Sequence, residues 1–269
     1  MKPVARSLLF VPGDRPDRFD KAAASGAHQV IIDLEDAVAP SAKSAARDAV
    51  ATWLAQGHSA AVRINAADTP WFADDLDMIR SIPAATVMLP KADADSLSHT
   101  SAALPGCPLI ALIETVRGYM DLRQLGSVRQ LTRMAFGSVD FGVETGIADE
   151  SDAMTAIRTQ IVLESCYGGL VAPIDGVSVN FNDDEIMRHD ALRSRQLGFG
   201  AKLCIHPRQV AAVNGAFLPT AAEMDWARRV LAAIEASSGA ATAVDGKMVD
   251  KPVVEQARRL LAEAGAGAE

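Results

Sequence analysis

The chain has 269 residues, 49% hydrophobic and 22% charged, enough apolar material to bury a large core in one or two domains. A formal charge of -8 and a pI near 5.2 argue against a general binder of nucleic acid or acidic membrane and favour a small-molecule partner, with any anion held in a local basic pocket. The opening MKPVARSLLFVPGD has only a short apolar run, and no apolar run of about 18 residues follows, so no membrane span or secretion is expected and a cytoplasmic location is.

The first strand is predicted over residues 7–11, closed by Pro12-Gly13 and followed by a helix over 16–25. A second apolar strand over 29–33 ends on Asp33 and feeds a helix over 43–55. Strands over 60–64, 86–89 and 109–113 then lead into helices over 71–80, 94–103 and 119–125. Strands over 133–136, 171–174 and 202–205 alternate with helices over 152–167, 184–197 and 208–217. Eight βα units whose strands read as short apolar runs favour an α/β fold, a closed (β/α)8 TIM barrel over residues 1–220. An open sheet is the alternative, but it usually carries a phosphate-binding GxGxxG, which does not occur here. After Pro219 a C-terminal helical extension or lid is expected over 221–269, with helices over 222–237 and 251–264 flanking a Gly/Ala-rich segment that contains Asp245-Gly246-Lys247. Trp226, Val230 and Ile234 recur at helical spacing and predict a packed face there. The cysteines, Cys107, Cys166 and Cys204, are odd in number and far apart, which predicts buried free thiols.

In a parallel barrel the loops after the strand ends converge on one face, so polar residues at strand ends can meet across the chain. The rule selects Asp33, Glu35 and Asp36 in IIDLEDAV, Arg63 and Asn65 in AVRIN, Lys91 in MLPK, Glu114 in LIALIET, Asp140 in AFGSVD and His206 in KLCIHP. Glu114 and Asp140, hard oxygen donors at the ends of successive strands, suit a divalent metal such as Mg²⁺; a helix cap and a turn residue are the plainer alternatives. Arg63 offers a planar fork to a substrate carboxylate, to the acids at 33–36, or to both. His206, before Pro207 at a helix start, reads as structural rather than as a catalytic base. Arg15, Arg18 and Lys21 after the first strand, and Lys43 at the start of the second helix, are candidates for contacting a phosphorylated cofactor.

The ordered set RSLLFVPGDRPDRFDKA, GAHQVIIDLEDAVAPSAKSAAR, VRIN, LPK, IET, FGSVDF, IDGV and GFGAKLCIHPRQVAAVN resembles the HpcH/HpaI aldolase and citrate lyase beta-subunit-like family across nearly the whole chain. His28 departs from the acidic residue usual after Gly-Ala. The resemblance implies metal-binding carboxylates at Glu114 and Asp140, a substrate-carboxylate clamp at Arg63, and catalytic or coordinating roles in the strand-end cluster that includes Glu35 and Asp36. VPGDRP, IHPRQ and the terminal GKMVDKP are closest in style to malyl-CoA and citramalyl-CoA lyases. In such relatives a segment like 246–252 supplies an acidic catalytic residue across a subunit interface, here Asp250, whose other reading is a helix N-cap before Pro252. The implied enzyme is a Mg²⁺-dependent carbon–carbon lyase, with Mn²⁺ as a possible substitute. Coenzyme A would be part of the substrate, Arg15, Arg18 and Lys21 would contact its phosphates, and the assembly would be a homotrimer or hexamer. A citryl-lyase beta-like component working with an acyl-carrier partner, and a non-catalytic ligand-binding barrel, are the alternatives.

Overall fold

The computed structural model describes residues 5–82, 86–237 and 241–265. Eight parallel strands close into a barrel in chain order: β1 (Ser7–Pro12), β2 (Gln29–Asp33), β3 (Ala61–Arg63), β4 (Thr86–Leu89), β5 (Leu109–Ile113), β6 (Leu131–Phe136), β7 (Ile174–Asp175) and β8 (Ala201–Cys204). The intervening helices are α1 (Phe19–Ala23), α2 (Lys43–Ala55), α3 (Phe72–Arg80), α4 (Ala94–Ala103), α5 (Val116–Met120), α6 (Leu122–Leu125), α7 (Ser138–Thr145), α8 (Asp152–Tyr167), α9 (Asp184–Gln196) and α10 (Arg208–Ala216). The expected barrel is the one observed. Its strands lack alternation because both faces are covered, by the barrel interior on one side and by helices on the other.

Strand parity sets what faces inward. Leu8, Ile31, Ala61, Leu112, Ala135 and Leu203 pack in the interior. Two residues further along each strand the same face presents Phe10, Asp33, Arg63, Glu114, Gly137 and Ile205 at the C-terminal mouth. The pleat thus turns an apolar interior into a polar mouth within one step. Outward parity sends Asp175 and Lys202 to the helix layer, where Arg158 Nε donates to Asp175 Oδ1 at 2.9 Å and Lys202 Nζ lies 3.8 Å from Oδ2. The pairing of β1 with β2 runs from Leu8↔Gln29 to Pro12↔Asp33, whereas β6 meets β7 at the single pair Ala135↔Ile174.

Four local expectations need correction. Helix 119–125 is two short helices, α5 and α6, because Thr115 starts a helix right after β5 by accepting the Gly118 N–H. Residues 138–145, for which no element is predicted, form α7, which ends on Gly146 in the left-handed conformation (φ 73°). The strand expected over 171–174 is Ile174–Asp175, since Pro173 withholds a ladder N–H. Among the cysteines Cys204 is buried, its thiol pushed up to about 12 by burial, but Cys107 is half-buried and Cys166 exposed on α8.

A second compact unit begins at Gly215, inside α10, and contains α11 (Ala221–Ala236), the antiparallel pair β9 (Thr242–Val244) and β10 (Lys247–Val249), and α12 (Lys251–Gly265). Its core is Ala227, Val230, Val249, Val254, Ala257 and Leu260, with Trp226 and Ile234 packed against it, on the face the periodicity predicts. The segment around Asp245-Gly246 is a hairpin: both residues have positive φ, 53° and 73°, the backbone that a two-residue Asp-Gly turn supplies. Among the described residues no helix is long and apolar enough to cross a membrane.

Candidate active site

At the end of β2, Asp33 is buried and organises the loop that follows it. Its carboxylate accepts the Glu35 and Ala37 N–H groups at 2.9 and 3.1 Å. It also accepts one edge of the Arg63 fork, Nε at 2.7 Å and Nη2 at 2.6 Å. Arg63 Nη1 lies 3.0 Å from Glu35 Oε2, an ion pair without hydrogen-bond geometry, and 3.9 Å from Asp36. The guanidinium lies over the Phe10 ring, with Cζ 4.9 Å from the ring centroid. Burial works against its charge, but Asp33, Glu35 and Glu114 outweigh it and raise the Arg63 pKa. Of the two roles open to Arg63, the pairing with the 33–36 acids is formed.

Glu114 stands at the end of β5 and is 3% exposed. Its Oε1 accepts the Lys91 backbone N–H at 2.8 Å, and its other side passes directly over Gly137, where a Cβ would meet Glu114 Cβ at 2.6 Å and Oε2 at 2.8 Å. Gly137-Ser138 is therefore a point of close approach between strand ends. Burial, then repulsion from Glu35, pushes the Glu114 carboxyl up to about 8; the Lys91 amide and Arg63 pull it down, and Asp140 adds to the rise. Asp140 is exposed and sits in the first turn of α7, one step beyond the strand-end loop expected for it. Its carboxylate is near enough to perturb Glu114, so the two residues share the mouth.

Glu35 is buried, and burial raises its carboxyl although Arg63 and Lys91 oppose the shift. Lys91 Nζ donates to Glu35 Oε1 at 3.3 Å. Asp36 is exposed. Arg15, Arg18 and Lys21 are all exposed after β1, and Arg15 is already paired with Asp17 at 3.1 Å. Lys43 is not available to a ligand: it is buried and donates to the Leu34 and Glu35 carbonyls, both at 2.7 Å. Asn65 is held by Asp75, which accepts its backbone N–H at 2.8 Å and its side-chain amide at 2.6 Å. His206 stacks on Phe181 and its Nδ1 accepts the Arg208 N–H at 3.2 Å, the structural role expected. Asp250 is exposed just before α12, where its Oδ1 accepts the Val253 N–H at 3.4 Å and its carbonyl accepts the Val254 N–H at 3.0 Å.

Sequence reasoning passed over Phe10, Gly137 and the Lys91 backbone. Strand parity would have found the first two, since each lies two residues beyond an inward-facing position. Among the described residues no group of three or more His, Cys, Asp or Glu side chains could hold a metal ion. Glu114 and Asp140 instead offer two carboxylates, the first of them buried beside Glu35. That donor set fits a hard divalent cation whose remaining positions go to water and ligand oxygens.

Such a barrel, with its acids and a paired arginine gathered where the strands end, has the architecture of a (β/α)8 enzyme. Residues 6–207 match HpcH/HpaI aldolase/citrate lyase, and the chain belongs to that family, which is one of enzymes. It is 38% identical over 264 residues to the citrate lyase subunit beta-like protein of Mycobacterium tuberculosis, covering 96% of this chain and 94% of the relative. To the (3S)-malyl-CoA thioesterase of Cereibacter sphaeroides it is 35% identical over 271 residues, covering 97% and 95%. The crystal structure of M. tuberculosis CitE in complex with magnesium, acetoacetate and coenzyme A superposes with a TM-score of 0.87 at 36% identity, covering 98% of this chain and 100% of that one. Magnesium and coenzyme A, expected from the sequence, are thus both found on a relative.

Proposed function

We propose that this protein is a Mg²⁺-dependent carbon–carbon lyase that cleaves a short 3-hydroxydicarboxylyl-CoA thioester such as malyl-CoA or citramalyl-CoA. The observation that carries the reading is Glu114, a carboxyl 3% exposed, pushed up to about 8, and set beside Glu35, Asp140 and a cationic fork. A carboxylate so placed is costly unless a cation shares the site. Glu114 and Asp140 would hold Mg²⁺, with Mn²⁺ as a substitute. When bound, the ion supplies stabilisation of negative charge on a substrate oxygen.

The chain's own groups divide the remaining work. Asp33 locks one edge of Arg63, leaving the outer N–H groups to orient a substrate carboxylate. Glu35 and Asp36 flank Arg63, and burial raises the Glu35 carboxyl against the pull of Arg63 and Lys91, which suits it to proton exchange. In the cleavage direction a base takes the hydroxyl proton, and the C–O bond becomes the carbonyl of a 2-oxoacid. The bond to the carbon beside the thioester breaks, and its electrons stay with that carbon. Asp250, delivered from a neighbouring subunit of a homotrimer or hexamer, protonates that carbon to give the shorter acyl-CoA. Arg15, Arg18 and Lys21, exposed after β1, would contact the coenzyme A phosphates.

Thioester hydrolysis is the second reading, favoured by the 35% identity to a malyl-CoA thioesterase over 97% of the chain. A carrier-bound acyl group, as a citrate lyase beta component working with an acyl-carrier partner would use, is the third. The test is a panel of malyl-CoA, citramalyl-CoA, citryl-CoA and the free hydroxyacids, assayed with and without Mg²⁺. A 2-oxoacid plus a shorter acyl-CoA supports the lyase; free coenzyme A plus the hydroxyacid replaces it with a thioesterase. Cleavage of the free acids alone removes the thioester from the reading.

A further inference from the structure

Lys91 and Asp245 are the non-glycine residues with positive φ among those described, and Lys91 (φ 47°) is the one beside the barrel mouth. A side chain in that conformation is disfavoured, so it persists only where its surroundings hold it. Here they do. Ala92 N–H donates to the Leu112 carbonyl at 3.1 Å, and the Ala92 carbonyl packs against Gly118, where a Cβ would come within 2.2 Å of it. One residue on, Asp93 closes the capping box of α4 with Ser96. The left-handed turn points the Lys91 N–H at Glu114 Oε1, 2.8 Å away. The second oxygen, Oε2, lies over Gly137, the residue that precedes α7, whose first turn carries Asp140.

We propose that the Lys91 turn makes the site selective for Mg²⁺ over Ca²⁺, by holding Oε1 of Glu114 in a fixed hydrogen bond so that Oε2 is the oxygen presented to the ion. Mg²⁺ takes six donors in a strict octahedron and accepts carboxylates through single oxygens. Ca²⁺ is larger, takes more donors and gains from bidentate carboxylates. A carboxylate with one oxygen held by a fixed amide disfavours the second bond that Ca²⁺ would take, while Mg²⁺ needs only the other oxygen. Lys91 is thus a positioning residue acting through its main chain, whatever its ammonium does for Glu35. The inference rests on Glu114 being a metal ligand, as proposed above.

The test measures Mg²⁺ and Ca²⁺ dissociation constants by isothermal titration calorimetry on the full chain. Placing the α-hydroxy analogue of lysine at position 91 replaces the N–H by an ester oxygen and leaves the side chain in place. The expected result is a Mg²⁺/Ca²⁺ preference narrowed by about tenfold, the scale of one hydrogen bond to a charged group. Lys91→Gly, which tolerates positive φ, keeps the wild-type preference, and Lys91→Val, which does not, loses it. An unchanged preference in the ester protein overturns the inference. Should that protein fail to fold, equal preferences in the Gly and Val variants overturn it instead. Wild-type protein that binds neither ion removes the metal reading itself, an outcome distinct from retained binding with unaltered selectivity.

Discussion

Two clusters of buried charge lie in the barrel unit, and they are built to opposite ends. Around Asp175 every demand is met. Arg158 and Lys202 flank the carboxylate, the Ser194 hydroxyl donates to Oδ2 at 2.5 Å and the Gly176 N–H to Oδ1 at 2.8 Å. Burial alone would raise the Asp175 carboxyl, yet Lys202 and Arg158 outweigh it and hold it below the ordinary range. Around Glu114 the balance reverses: burial first, then repulsion from Glu35, pushes the carboxyl up to about 8 against the Lys91 amide and Arg63. Saturation marks a carboxylate that holds helices to the barrel. An unmet demand is what the proposed metal would satisfy.

The sharpest way to break that contrast is substitution at its two centres. Glu114→Gln should lower activity by about a thousandfold or more and abolish calorimetric Mg²⁺ binding, while thermal unfolding stays level or shifts upward. Retained Mg²⁺ binding would erase the distinction. Asp175→Ala should do the reverse, costing about 3–5 kcal/mol in urea unfolding because Arg158 and Lys202 lose their partner, with Mg²⁺ affinity unchanged. Next in size is Gly137→Ala. Its new Cβ would fall 2.6 Å from Glu114 Cβ and displace the carboxylate. The expected loss of Mg²⁺ affinity is about 10- to 100-fold.

The clusters should also govern opposite limbs of the pH–stability curve. Glu114 is raised, so its contribution is full below the ordinary carboxylate range and is lost as pH rises through about 8. Asp175 is lowered, so its contribution is present above that range and lost as pH falls. In chelator the melting temperature should therefore decline by a few degrees from about pH 5 to pH 8, and saturating Mg²⁺ should flatten that limb. Glu114→Gln leaves only the smaller slope from Glu35 and Asp75, both also raised by burial. Smallest of all, Arg18→Ala with Lys21→Ala should raise KM for the thioester a few-fold at constant kcat; an unchanged KM detaches those side chains from coenzyme A.

The barrel was legible because eight apolar strands, each followed by a helix, leave few other ways to bury both faces of a sheet. The acids were legible because parallel strands deliver their C-terminal ends to one rim. What escaped depends on neighbours distant in sequence. Lys43 begins a helix like any surface lysine, and only the path of residues 34–35 over it makes it a buried donor to two carbonyls. The left-handed turn at Lys91 carries no glycine to announce it, and Gly137 reads as flexible until Glu114 is placed across it. The Asp245-Gly246 hairpin was the one local signal available, obscured by the short strands on either side.

The brevity of β7 has a mechanical consequence. A barrel is a hoop of staves, and here one stave is two residues long and meets β6 at a single register pair, while β1 and β2 share a full-length seam. Strain applied to the rim by an entering ligand should concentrate at the short stave, and amide hydrogen exchange should run faster along β6–β7 than along β1–β2. The clamp of Asp33 and Arg63 would then be the fixed jaw of the mouth. The side carrying Gly137 and α7 would be the one that yields.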